Sequence, residues 1–181
     1  MLFQDNFSRK DGGWPSLIDP GGITDYLGEA YRIQVADLYT DRRALPGLDL
    51  EDVQISVESS RIGGPTDNYF GILCRYQDEH NYYAFLISSD GYYALLKSLA
   101  GQVNLIGMET MQPDERIDPE QTNHLLQAVC QGEQLSLWVD GAAIVTRQDS
   151  SLAHGDVGLI AGNTHLTGTD ILFDNFSVTL P

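Results

Sequence analysis

The chain has 181 residues, of which 26 are acidic and 10 are basic, so its formal net charge at pH 7 is −16. This length suffices for one domain with a substantial core, and we expect a single domain over residues 1–181. The acidic balance excludes nucleic acid as a partner, because a phosphate backbone is bound by clustered Lys and Arg. A neutral ligand such as a sugar, a protein partner and a bound cation are all compatible with this charge. The alternative is that the acidity serves only solubility.

The sequence shows no membrane-spanning or targeting segment. Met1 leads directly into a strand-like run without a basic region or a long apolar stretch. No run reaches the ~18 apolar residues of a membrane span, so we expect no membrane insertion. A cytoplasmic location and an origin as one domain of a longer extracellular protein both stay open, as does the oligomeric state.

Short strand-like runs separated by turns recur along the whole chain, and no long helical periodicity is present. Asp90-Gly91 and Asp140-Gly141 are the strongest hairpin signals, because Gly supplies the positive φ of tight turns. The segments Asp11–Gly28 and Pro113–Gln121 are predicted loops. Many short strands with tight turns predict an all-β, two-sheet antiparallel β-sandwich. The predicted strands, in chain order, are Leu2–Phe7, Tyr31–Ala36, Leu50–Ser60, Asn68–Tyr76, Tyr82–Ser88, Tyr92–Ser98, Val103–Met108, His124–Gln131, Gln134–Val139, Ala142–Arg147, Val157–Ala161 and Asp170–Leu180.

The two cysteines lie in the middle of predicted strands. Cys74 and Cys130 are each flanked by apolar residues, which favours buried free thiols. A disulfide between neighbouring strands is the alternative, and two cysteines do not decide between them. Neither cysteine has the CxxC spacing of a redox or zinc site.

Several motifs resemble those of one known family. The run Tyr69–Lys97, an opening motif at Asp5–Ser8, a closing motif at Phe173–Val178 and the segments 134–141 and 156–162 together resemble concanavalin A-like (LamG-like) jelly-roll domains of bacterial proteins. The resemblance implies a jelly-roll sandwich. Domains of this kind include carbohydrate binders, protein-interaction domains and glycanases, so the fold does not decide the function.

The two terminal motifs each place an acid between apolar residues of a strand. Asp5 lies between Phe3 and Phe7, and Asp174 lies in the last strand. Calcium is a hard cation that takes carboxylate oxygens, and the resemblance implies a structural calcium held between the N-terminal segment and the last strand. Asp174 and Asp5 are the expected ligands, with Asn6 in place of Asp5 if a bulge shifts the strand. Alternatively, the acids accept backbone N–H groups and tie the termini together.

An aromatic group with an arginine is the candidate ligand site. Sugar sites combine aromatic faces with polar groups, and the alternation of β-strands places Arg75 on one face with Tyr69. We therefore predict that Arg75 and aromatic side chains of the neighbouring strands form a ligand-binding face. The alternatives are that the tyrosines are ordinary strand residues and that Arg75 pairs with an acid such as Glu58. The predicted ligand-binding residues are Arg75, Tyr69, Tyr83, Phe85 and Tyr93.

No catalytic constellation is predicted. A jelly-roll glycanase needs two carboxylates that flank the scissile bond, and the most acidic strand carries Glu51 and Asp52 at its start and Glu58 at its far end. That spacing does not give a compact pair. We therefore expect a non-catalytic binding module for carbohydrate. A protein-interaction or structural domain is the alternative, and a glycoside hydrolase the second alternative.

Overall fold

The computed structural model describes residues 1–181, which form sixteen β-strands and no helix. It therefore contains no helix that is long and apolar enough to span a membrane. The strands are β1 (Phe3–Asp5), β2 (Leu17–Asp19), β3 (Gly22–Leu27), β4 (Ala30–Val35), β5 (Asp41–Ala44), β6 (Val53–Gly63), β7 (Asn68–Asp78), β8 (Asn81–Ile87), β9 (Tyr92–Leu99), β10 (Gln102–Leu105), β11 (Gln112–Pro113), β12 (Asn123–Gln131), β13 (Gln134–Val139), β14 (Ala142–Gln148), β15 (Asp156–Asn163) and β16 (Asp170–Thr179).

The strands build two antiparallel sheets. The nine-stranded sheet has the order β14-β13-β12-β6-β16-β4-β3-β2, with β1 paired to β16. The seven-stranded sheet has the order β10-β9-β8-β7-β15-β5, with β11 paired to β9. This arrangement confirms the predicted all-β, two-sheet sandwich.

Strand alternation creates the core between the sheets. In β6, Val53, Ile55 and Val57 are buried, whereas Gln54 and Ser56 point outward. The same period of two along the other long strands gives a cluster of 34 buried residues. Burial of apolar side chains on this scale supplies the main driving force for folding.

The two ends of the chain lie side by side. β1 pairs with β16 in a register that sets Phe3 opposite Val178 and Asp5 opposite Phe176. The Trp14 and Phe176 rings pack edge to face with centroids 4.9 Å apart. The predicted loop over Asp11–Gly28 is wrong, because this segment contains β2 and β3 and buries Trp14 to 5% exposure.

Both predicted Asp-Gly turns connect strands. Asp140 and Gly141 have φ values of 50° and 81° and join β13 to β14. Gly91, at φ 93°, lies between β8 and β9. Positive φ values at the centre of the two-residue Asp140-Gly141 turn match the right-handed twist of the flanking strands. Asp90-Gly91 ends a four-residue connection in which only Gly91 has a positive φ.

A disulfide links the two sheets. Cys74 on β7 and Cys130 on β12 are bonded to each other, and neither thiol is free. The expectation of free thiols is therefore wrong. Both side chains are fully buried, and they meet because β7 and β12 belong to opposite sheets and each turns its cysteine into the shared core.

Candidate ligand-binding site

The structure does not bring the five predicted ligand-binding residues onto one face. Arg75 is only 2% exposed and has a φ of 50°. Pairing of β7 with β8 becomes irregular beyond Cys74, so the strand loses its regular alternation at the residue where the prediction relied on it. The assignment of Arg75 to a solvated ligand face is corrected for this reason.

Arg75 instead holds three loops together. Its guanidinium donates to the carbonyl oxygens of Glu51 (3.2 Å), Gly132 (2.8 Å) and Leu152 (2.9 Å). It also donates to Asp52 Oδ1 at 3.0 Å. The predicted alternative of an acid partner for Arg75 is therefore right in kind, with Asp52 in place of Glu58.

Tyr83 and Phe85 lie in the core between the sheets, where no ligand reaches their rings. The Tyr83 hydroxyl donates to Asp149 Oδ1 at 2.6 Å. Burial and this carboxylate raise the pKa of Tyr83 to about 12. Tyr93 is half-buried and packs against the same core. Both faces of β8 are apolar in sequence, so alternation does not distinguish them. The predicted residues Tyr83 and Phe85 lie on the face that turns toward the core.

Of the five predicted ligand-binding residues, only Tyr69 lies on the outer face of the seven-stranded sheet. Its ring covers Gly162, where an added Cβ would lie 2.1 Å from Tyr69 Cζ. Burial raises the pKa of Tyr69, with the nearby Asp41 carboxylate adding to the shift. Tyr69 packs beside a second apolar cluster, here called the outer cluster, which consists of Leu73, Tyr82, Ala84, Leu86, Ala94 and Ile160.

At one end of the outer cluster, an arginine and two tyrosines form a stack. The Tyr76 and Tyr82 rings are stacked with centroids 5.6 Å apart. The Arg43 guanidinium carbon lies 4.3 Å from the centroid of the Tyr82 ring, and Nη2 donates to the Tyr82 hydroxyl at 2.9 Å. Asp41 accepts from Arg43 Nε and Nη2 at 2.7 and 3.2 Å. This bidentate pair fixes the guanidinium in place.

Two adjacent surface cavities share Tyr76, and together they are called the Tyr76 groove. The cavity on the Arg43 side measures about 370 Å³, and the other measures about 500 Å³. Both volumes fall in the range of small-molecule sites. The first is lined by Asp41, Arg43, Tyr76, Glu79 and His80, and the second by Leu45, Leu48, Asp49, Tyr76, Gln77, His154, Gly155 and Asp156.

The carboxylates of the larger cavity are held by protein groups. Asp156 accepts the backbone N–H groups of Gly47 and Leu48, each at 2.9 Å. Burial raises the pKa of Asp156, although these N–H groups act in the opposite direction. His154 Nδ1 lies 2.6 Å from Asp49 Oδ1. The groove therefore presents fixed polar groups around one aromatic ring.

The two predicted calcium ligands do not fit a shared site. Asp5 accepts the backbone N–H of Phe7 at 2.7 Å and the indole N–H of Trp14 at 3.1 Å, so both its oxygens are engaged. This agrees with the alternative in which Asp5 ties the chain end together. Asp5 lines a surface cavity of about 740 Å³ that Asp174 does not line.

Asp174 points away from the core, on the face opposite to the buried Ile171 and Phe173. Asn175 has a φ of 52°, and the β16–β6 register shifts between Asp174 and Ser177, so Phe176 turns inward while Asp174 stays outside. Burial and the Glu58 and Glu29 carboxylates raise the pKa of Asp174. No group of three or more His, Cys, Asp or Glu side chains is placed to hold a metal ion, and calcium binding stays a prediction.

No protein-family model matches this chain, and no curated protein matches it in sequence. Solved structures match its fold. A carbohydrate-binding module, CBM66, from Bacillus subtilis is 15% identical with a TM-score of 0.68, over 92% of this chain and 94% of that one. A Bacillus subtilis protein of unknown function with a galectin-like fold is 12% identical with a TM-score of 0.74, over 99% and 95%.

A Bacillus licheniformis beta-glucanase is similar over 99% of this chain and 98% of its own, with 11% identity and a TM-score of 0.68. Identities this low describe the fold alone. The agreement spans nearly the full length of all three comparison structures. The chain therefore has the concanavalin A-like jelly-roll fold that its terminal and central motifs predicted.

Proposed function

We propose that this protein is a non-catalytic carbohydrate-binding module whose ligand occupies the Tyr76 groove. One observation carries the proposal: Tyr76 lines both cavities while its ring is stacked on Tyr82. An aromatic ring fixed between two polar cavities can pack against the C–H face of a sugar ring. The polar groups on either side are then in reach of the hydroxyl groups of neighbouring sugar units.

The Arg43–Asp41 pair of the groove suits a polar, uncharged ligand. Arg43 and Asp41 neutralise each other in a bidentate pair, and the pair still offers donors and acceptors to hydroxyl groups. Its geometry is fixed before a ligand arrives, which lowers the entropic cost of binding. The likeness in fold to a solved carbohydrate-binding module, over more than nine-tenths of both chains, supports the same ligand class.

The absence of catalysis in this proposal rests on how the carboxylates are engaged. Asp41 is held by Arg43, and Asp156 Oδ1 accepts the N–H groups of both Leu48 and Val157. A general acid needs a proton to donate and a nucleophile needs a free oxygen. Asp41 and Asp156 are therefore better suited to positioning than to chemistry, which leaves Asp49 and Glu79 as the groove carboxylates with exposed oxygens.

The test is calorimetric titration with soluble β-linked glucose and xylose oligosaccharides, alongside a neutral polysaccharide array. We expect binding without release of reducing sugar. Tyr76→Ala should weaken it at least about tenfold, because the stacking contact is lost. Tyr39→Ala is the matched control, since Tyr39 is 70% exposed and lines neither cavity. Absence of binding to every glycan would overturn the proposal, and hydrolysis would support the glycoside hydrolase alternative.

The protein-interaction alternative predicts a different result in the same samples. If the chain binds no glycan but sediments as a stable dimer, the protein-interaction alternative is supported. Loss of self-association in Tyr76→Ala would show that the groove binds protein. Sedimentation velocity with and without oligosaccharide separates the two proposals.

A further inference from the structure

A second aromatic site lies on the outer face of the other sheet. Trp138 on β13 is registered directly opposite Gln127 on β12. Val129, two residues along β12 on the same face, is registered opposite Gln54 on β6. These four side chains, here called the Trp138 platform, line a shallow cavity of about 280 Å³. The Tyr76 groove belongs to the opposite sheet.

The polar groups of the Trp138 platform have no partners within the protein. The amides of Gln54 and Gln127 make no hydrogen bond to another protein group, and neither does the indole N–H of Trp138. Trp138 is 39% exposed, whereas Trp14, the other tryptophan, is 5% exposed and donates to Asp5. A large aromatic ring left partly in water forgoes the free energy that its burial would give.

The side chains in register beside the platform are uncharged serines. Ser56 is registered opposite Gln127 and Ser177 opposite Ser56, while Ser136 is registered opposite Val129. Glu58 follows Ser56 on the same face of β6, but the platform itself carries no charged side chain, in a chain with a net charge of −16. The platform offers one stacking surface, flanked by amide groups that both donate and accept hydrogen bonds.

We propose that the Trp138 platform is a second carbohydrate site that binds one pyranose unit of a neutral, β-linked oligosaccharide. The indole face packs against the C–H face of the sugar ring, and the Gln54 and Gln127 amides bond its hydroxyl groups. The ligand class rests on the proposed function. Because the two sites lie on opposite sheets, an experiment can reject either site without rejecting the other. Two sites facing opposite directions allow one molecule to link two polysaccharide chains.

Tryptophan fluorescence isolates this site, because only Trp138 of the two tryptophans is exposed. Glucose and xylose β-1,4-linked hexasaccharides are the probes. We expect saturating hexasaccharide to shift the emission to shorter wavelength and to reduce acrylamide quenching at least about twofold, because the sugar covers the indole. The same response should persist in Tyr76→Ala, which removes only the groove.

Gln54→Ala combined with Gln127→Ala keeps the reporter and removes the flanking amides. We expect the half-saturation concentration of the fluorescence response to rise about tenfold in this double variant, and Trp138→Ala to abolish the response. An emission spectrum that saturating hexasaccharide leaves unchanged overturns the inference, even where calorimetry shows binding at Tyr76. A response that survives while Tyr76→Ala leaves calorimetric binding unchanged supports the platform and overturns the groove.

Discussion

Arg43 lies over the Tyr82 ring at 4.3 Å and also donates to the Tyr82 hydroxyl, so one guanidinium contacts both the ring and the oxygen of the same side chain. Tyr82 in turn carries Tyr76, the residue shared by the two cavities. The position of the half-buried Tyr76 ring therefore depends, through Tyr82, on the Arg43–Asp41 salt bridge. Arg43 is a positioning residue for Tyr76 as well as a lining residue of the groove.

Arg43→Lys tests this dependence. Lysine keeps the charge but loses the planar, bidentate contact with Asp41 and the stacked contact with Tyr82. We expect glycan binding to weaken about fivefold to tenfold while the free energy of unfolding falls by about 1 kcal/mol. Calorimetry and urea unfolding measure the two effects. Binding equal to that of the wild type would show that Tyr76 needs no support from Arg43.

Arg75→Met separates the structural role of Arg75 from the predicted ligand role. The variant leaves three backbone carbonyls without their donor and Asp52 without its ion partner. We expect the free energy of unfolding to fall by about 3 kcal/mol, since buried acceptors lose hydrogen bonds to a charged group. Glycan affinity below the unfolding transition should stay within about twofold of the wild type. A large loss of affinity in the folded variant would restore Arg75 to the ligand site.

Sequence alternation was sufficient to predict the sandwich and its hairpins, because regular strands obey a period of two. It failed where a residue breaks that period. Arg75 and Asn175 have positive φ values of 50° and 52°, and each inverts the face of the residues that follow. Neither Arg nor Asn at these positions by itself predicts a bulge, so the burial of Arg75 and the placement of Phe176 and Asp174 on opposite faces were not predictable.

The candidate groove was partly visible in the sequence. Tyr76 and Tyr82 lie in the run Tyr69–Lys97 that carries the family resemblance, but choosing them over Tyr83 and Phe85 requires knowing which face of β8 turns inward. Arg43 lies far from that run in sequence and reaches it only because β5 pairs with β15, which pairs with β7. Such long-range pairing has no local sequence signal.

Asp149→Asn tests a charged contact at the edge of the core. Burial of Asp149 disfavours its charge, but the Lys97 ammonium and the Tyr83 hydroxyl outweigh burial and hold its pKa well below the usual range. Because the pKa of Asp149 is lower in the folded state, its ionised form stabilises the protein at pH values above the unfolded pKa of about 3.9. This stabilisation is lost as the pH falls further. We expect Asp149→Asn to cost about 2 kcal/mol at pH 7.

The pH dependence provides the control for that variant. Below about pH 4 the difference between wild type and Asp149→Asn should shrink by about 1.4 kcal/mol per pH unit, as the unfolded wild-type chain takes up a proton. Urea unfolding at pH 7, and at two acidic values, measures this difference. A gap that stays constant with pH would assign the loss to packing.

Asp174→Asn tests a repulsive contact. Asp174 is registered directly opposite Glu58, and burial together with Glu58 and Glu29 raises its pKa. Since a raised pKa in the folded state penalises the ionised form, the penalty applies at pH 7 and vanishes below about pH 4. We expect Asp174→Asn to stabilise the protein by about 0.5 kcal/mol at pH 7 and to have no effect near pH 3.

The same variant tests the calcium prediction. If Asp174 binds calcium, we expect millimolar calcium to raise the Tm of the wild type. The Tm of Asp174→Asn should stay unchanged, because the ion stabilises only the chain that binds it. Magnesium at the same concentration controls for ionic strength. A wild-type Tm that calcium leaves unchanged would contradict the prediction.

Reduction of the Cys74–Cys130 disulfide tests how far the link between the sheets contributes to stability. The two residues are 56 positions apart, and in the chain-entropy description a loop of that length stabilises the folded state by up to about 4 kcal/mol. We expect reductant to lower the free energy of unfolding by 2–4 kcal/mol, roughly the range seen for single disulfides. Cys74→Ala combined with Cys130→Ala, measured without reductant, should reproduce the loss, with a further cost for the volume removed from the core. Thiol titration of the unfolded protein that finds two free cysteines, with a stability that reductant does not change, would contradict the link.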